Sequence, residues 1–288
     1  MTRSSTPDTP TETPPILEDE VAEGWAALSD GAHDDALLRA GRALAVAPTA
    51  QEAVELADAV VIACGDALGA AVGTTPPFGL VALRARAHAQ RKEWRAATLL
   101  ALEVAAFRPT LGFACWTPPW GRRIAWSRGT ADEVLAAITA AAAALSPSPT
   151  GGERQNAEAL HELLTLLPPT TRTSETGQYV RQLLLRRLGR REEAVRESAR
   201  FWQAHRSWLS ATALGNALRD AGALDEACAM FRAATELDPE DATAWVDLGD
   251  ILASMGHLTE ARSAYQAALE RDPGDAGAQA SLARLGQH

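Results

Sequence analysis

The chain of 288 residues and 30.5 kDa has a formal net charge of −10, which argues against general nucleic-acid binding, since phosphate is neutralised by clustered cations. Hydrophobic residues are 47% of the chain, but much of that is alanine and aromatics are only 5%, so strands are not expected and helices are. The longest apolar run, Val134 to Leu145, falls well short of the roughly 20 residues that cross a bilayer, and the expectation is a soluble, cytoplasmic protein with no membrane partner.

Residues 1–16 are rich in Ser, Thr and Pro without apolar periodicity, which predicts a disordered tail, and they lack the apolar stretch of a secretory signal. Helix pairs are predicted over 17–111. Gly24 and Gly31 stand seven apart there, and Ala36 precedes Pro48 with eleven residues between them. The Ala/Pro spacing returns at Ala97 and Pro109, and more loosely at Ala157 and Pro169.

An irregular Trp/Arg loop and helical section is predicted over 112–173. Pro118 and Pro119 fall where the repeat phase places a first helix, and proline in a helix interior removes a donor and clashes with the preceding turn. Trp116, Trp120, Arg122, Arg123, Trp126 and Arg128 lie within 13 residues. Tryptophan and arginine are enriched at interface hot spots and stack on one another, so Trp116, Trp120, Arg122, Arg123 and Trp126 form one candidate partner-binding loop. The alternative is that the tryptophans plug a gap between the N-terminal and C-terminal helix pairs. Thr130 to Glu133 reads as a capping box that opens a helix, Ser146 to Gly152 as a flexible connector, and Pro168 to Thr173 as a second break.

The repeats are expected over 174–275. The stretch 181–206 holds eight arginines against Glu192, Glu193 and Glu197, whereas from Asp220 to Glu260 the sign reverses, with Arg232 as the one Lys or Arg. Pairing between adjacent repeats plus a solvated face explains this, and so does a polarised surface that orients a charged partner. Leu214, Gly215, Leu218, Gly222, Ala227, Phe231, Ala234 and Pro239 are followed 34 residues later by Leu248, Gly249, Leu252, Gly256, Ala261, Tyr265, Ala268 and Pro273, with Trp245 ahead of them. Glycine and alanine permit close helix crossing, the large side chains fill the space so left, and the prolines end the second helix. A final polar helix, roughly Ala276 to Leu285 within 276–288, is predicted to cap the array.

This skeleton resembles the tetratricopeptide repeat family. The resemblance spans 208–273, 17–50 and 78–109 and fades between 112 and 205. It implies an all-α, right-handed superhelical solenoid of antiparallel helix pairs with a degenerate middle section. It also implies a non-catalytic adaptor or scaffold that docks a peptide or partner protein in its concave groove. By alignment with the family, the groove positions are Leu209, Thr212, Asn216, Arg219 and Asp220 on one first helix, and Thr243, Val246, Asp250, Ala253 and Ser254 on the next. Asn216 resembles one member of the family's carboxylate clamp. Thr212 stands where that clamp has lysine and Asp250 where it has asparagine, so a neutral or basic peptide is expected rather than an acidic tail.

No catalytic constellation stands out, and no catalytic residue, metal or cofactor is expected. Cys64, Cys115 and Cys228 are widely separated, Thr165 occupies the place of a second zinc ligand after His161, and Lys92, the sole lysine, has no glycine-rich loop before it. Two alternatives stay open: an accessory or small-ligand sensor that uses the Trp116 to Arg128 loop, and an enzyme with its site within 112–205. Heavy use of Ala, Arg, Gly and Pro points to a G- and C-rich, bacterial genome. Partner identity, pathway and oligomeric state are not encoded in any motif.

Overall fold

The computed structural model describes residues 15–64 and 78–286. The expected tail lies outside them except for Pro15 and Ile16, which open the first helix. Sixteen α-helices and one 3-10 turn account for the architecture, with no strand among the described residues. The chain forms two compact units, one running through Ala125 and taking in Gly151–Ala159, the other made of Trp126–Thr150 and the chain from Leu160 onward. The section 112–173 is therefore shared between them.

The first unit begins with α1 (Pro15–Ser29) paired with α2 (His33–Val46), followed by α3 (Gln51–Cys64) and the pair α4 (Phe78–Gln90) and α5 (Trp94–Phe107). The 3-10 turn Phe113–Trp116 and short α6 (Thr117–Gly121) then pack on α5. Here the sequence expectation is corrected: Pro118 and Pro119 start a helix instead of breaking one, because they occupy its first turn, where a missing N–H costs nothing. The second unit holds α7 (Arg128–Ala143) and α9 (Pro169–Arg172), while α8 (Gly151–Leu166) gives its first nine residues to the first unit. The capping box expected at Thr130 is also displaced, since α7 starts earlier with Ser127 as its cap, accepting from the Thr130 amide. Likewise Gly151 and Gly152 belong to α8 and not to a connector.

Three regular pairs follow in the second unit: α10 (Glu175–Arg187) with α11 (Arg191–Ala204), α12 (Trp208–Asp220) with α13 (Leu224–Leu237), and α14 (Ala242–Ser254) with α15 (Leu258–Arg271). Then comes α16 (Ala276–Leu285), capped by Asp275 over the span predicted for the final helix. Gly215 sits against the Phe231 ring and Gly249 against the Tyr265 ring, where an added Cβ would come within 2.9 and 2.5 Å. Phe231 and Tyr265 are thereby sunk into the core. This is the small-on-large lock read from the sequence.

One turn geometry joins all five pairs. Gly31, Gly189, Gly222 and Gly256 adopt φ between 71° and 83°, and each turn carries the same two backbone bonds, as Gly222 N to Arg219 O and Ala223 N to Leu218 O, both 3.0 Å. In the α4/α5 turn the left-handed residue is Lys92, at φ 63°. A side chain there costs about 1 kcal/mol or more, which outweighs part of the extra backbone entropy glycine brings to the unfolded chain. Lys92→Gly is expected to stabilise the first unit by about 0.5 kcal/mol, seen as a raised denaturation midpoint. A lowered midpoint would contradict the strain argument.

Candidate functional site

The first helices α10, α12 and α14 present the groove positions. On α12, Thr212 and Asn216 are only 6% and 8% exposed, and Leu209 is half-buried. The Thr212 hydroxyl is buried without a hydrogen-bond partner among the described residues. A peptide lying on this face therefore meets α14 first, where Thr243, Asp250 and Ser254 are exposed and Val246 and Ala253 half-buried.

A polar chain links these helices. Arg186 of α10 pairs with Asp220 of α12 at 2.6 Å. Arg219 donates from one terminal nitrogen to the Asn216 side-chain oxygen, and its other terminal nitrogen lies 3.4 Å from Asp247 of α14. Its guanidinium also stands 5.6 Å from the Phe231 ring centre. Asp250, one turn beyond Asp247, accepts from the Tyr265 hydroxyl at 2.7 Å.

Burial dominates the acid–base behaviour of this face. It pushes the Asp247 carboxyl above the ordinary aspartate value, and neighbouring Asp250 adds to that while Arg219 opposes it. Burial, with Asp247 nearby, also raises the Tyr179 phenol. The Tyr265 phenol is pushed up to about 12, first by burial and then by its bond to Asp250. Asp247, Tyr179 and Tyr265 were absent from the sequence-derived site. The spacing of Asp247 and Asp250, three apart on a helix and hence on one face, was the available signal.

The candidate loop residues are not brought together in one unit. Trp116 is 9% exposed in the first unit, edge-on to Phe113 at 5.3 Å, 5.9 Å from Trp120 and beneath the Arg86 guanidinium. Arg122 and Arg123 are exposed, Arg123 lying over Trp94 at 5.0 Å. Trp126 belongs to the second unit, where it lines a partly open cleft of about 580 Å³ with Arg128, Asp132, Pro168, Thr171 and Ser174. Among the described residues no group of three His, Cys, Asp or Glu side chains could hold a metal ion, and no helix is long and apolar enough to cross a membrane.

The tetratricopeptide repeat family model matches residues 212–276, the same stretch that carries the glycine–aromatic locks and the Asn216–Arg219–Asp247 chain. This is a tetratricopeptide repeat protein. No curated protein matches it. Among solved structures it is similar to YrrB, described as a tetratricopeptide repeat protein with an unusual peptide-binding site. That match has 16% identity, covers 68% of this chain and 95% of that one, and has a TM-score of 0.40. It is also similar to a tetratricopeptide repeat protein of Parabacteroides merdae ATCC 43184, with 12% identity, 95% and 99% covered, and a TM-score of 0.43. In this tetratricopeptide repeat protein the matched repeats are those whose first helices carry the groove candidates.

Proposed function

We propose that this protein is a non-catalytic cytoplasmic adaptor that docks a neutral or basic peptide segment of another protein along α10, α12 and α14. The observation that supports this reading most directly is Asp250. It is exposed on the groove face, with the second carboxylate of Asp247 one turn away, and an acidic strip favours and orients a cationic partner. Lysine at position 250 would also strip Tyr265 of its acceptor, so the informative substitution is Asp250→Asn, which keeps an oxygen for the Tyr265 hydroxyl.

With an arginine- and lysine-bearing peptide followed by fluorescence anisotropy, Asp250→Asn is expected to weaken binding several-fold at low salt and less at high salt. Equal affinity for variant and wild type removes the carboxylate from the interface. A wild type that ignores basic peptides altogether overturns the groove reading. In that event the cleft beside Trp126 supports the second reading, an accessory protein that senses a small ligand.

A further inference from the structure

The side chains around Arg219 form a receptor for a guanidinium group. A buried amide oxygen (Asn216), a largely buried carboxylate (Asp247) and an aromatic ring (Phe231) converge on one planar cation, a combination that suits arginine better than lysine. The present occupant is held loosely. Its contact with Asp247 is 3.4 Å, whereas the comparable pairs Arg186–Asp220 and Arg232–Glu260 close to 2.6 Å. Arg219 is also more exposed than its receptor, with 31% of its side chain accessible against 18% for Asp247. One turn further along α14, exposed Asp250 offers a second carboxylate on which an entering or displaced cation can rest.

We propose that Arg219 is a built-in competitor in the groove: it occupies the Asn216–Asp247 position that an arginine of a docked peptide takes when Arg219 swings aside. This rests on the groove reading above and names the side chain that the groove selects. The internal cation lowers the apparent affinity for every basic partner, since only the fraction of molecules with the site vacated can bind, and it excludes peptides that cannot supply a guanidinium in exchange. Burial of Asp247, which holds its carboxyl above the usual range even with Arg219 beside it, agrees with a carboxylate that is not fully compensated.

The test uses the full chain with Arg219→Ala and, to keep an apolar stem over Phe231, Arg219→Met. Guanidinium chloride at low millimolar concentration is expected to raise the melting temperature of Arg219→Ala saturably relative to sodium chloride, because a ligand that binds only the folded state stabilises it. Wild type should not respond. The arginine-bearing peptide is expected to bind Arg219→Met about tenfold more tightly than wild type, and Arg219→Ala with Asp247→Asn is expected to lose the guanidinium response. Absence of that response in Arg219→Ala, or its persistence once Asp247 is also changed, overturns the proposal. So does a wild type that binds the peptide while Arg219→Met binds it no more tightly. Guanidinium rescue in a protein that never binds the peptide would uphold the cation site and reject the groove reading, so the two failures are distinct.

Discussion

Replacing Gly79 by alanine is expected to disrupt the first unit, at a cost of about 3 kcal/mol or more, whereas Gly41→Ala should be nearly neutral. The two glycines meet where α2 crosses α4. A Cβ built on Gly79 would lie 1.7 Å from the Gly41 carbonyl oxygen and 2.3 Å from its carbon, and backbone cannot rotate out of the way as a flexible side chain can. The helices would have to separate, opening a gap along Ala40, Leu44 and Leu83, all fully buried. Alanine gains about 1 kcal/mol of helix propensity over glycine, but overpacking a close crossing costs about 1–3 kcal/mol and more where backbone is struck, so the clash wins. A Cβ on Gly41 points differently and meets nothing nearer than 3.4 Å. Chemical denaturation of both variants followed by circular dichroism decides the matter, and a Gly79→Ala protein with an unchanged midpoint would show that the crossing is not close.

How far the fold could be read from residues follows from the same kind of contact. Gly215 with Phe231 and Gly249 with Tyr265 announce their lock in the sequence, because a glycine and an aromatic at fixed spacing are rare in chance alanine-rich helices. The α10/α11 pair keeps the fold and changes the chemistry. The positions 33 residues before Gly215 and Phe231 are Gln182 and Ser198, buried and joined by a 3.1 Å hydrogen bond from the Ser198 hydroxyl to the Gln182 side-chain oxygen. A large polar residue on the first helix and a small one on the second exchange the usual sizes, so the volume is filled while the pattern vanishes. Only Gly189, left-handed at φ 71°, keeps the repeat's mark.

Charge was legible at the same resolution. The excess of arginine over 181–206 and of acid beyond it resolves in part into pairs between neighbouring repeats: Arg186 with Asp220, Arg219 with Asp247, and Arg232 with Glu260. Exposed pairs of this kind contribute at most about 1 kcal/mol each. Their value lies more in fixing which face of one helix meets the next than in stability. The site residues that escaped the sequence, Tyr179 and Asp247, matter because they are buried beside one another, and burial is set by helices distant in the chain.

Asn156 is the least predictable residue of the first unit, and its loss is expected to be among the most damaging. It is fully buried on α8. From there its side-chain nitrogen donates to the Pro109 and Leu111 carbonyls at 2.9 and 2.8 Å, while its oxygen accepts from the Ala114 amide at 2.9 Å. One side chain thus satisfies three backbone groups of the segment that leads from α5 into the 3-10 turn. The approach is closed on both sides, with Gly152 so near the Thr110 carbonyl that a Cβ would reach it at 2.0 Å. Asn156→Leu keeps the volume and abandons all three bonds, and each orphaned buried group costs about 1–3 kcal/mol, for an expected loss of about 4 kcal/mol. Asn156→Asp retains an acceptor for the Ala114 amide but turns an oxygen toward two carbonyls, which burial and repulsion oppose. Its carboxyl is expected to hold its proton in the folded state well above the ~3.9 of an unfolded aspartate. The folded chain then binds more protons than the unfolded one, so stability must fall as pH rises from about 4. Denaturation midpoints of Asn156→Asp that fall from pH 4 to pH 7 while those of Asn156→Leu stay level would place the deficit at these carbonyls, and midpoints parallel to wild type in both variants would show that the three bonds do not hold the segment.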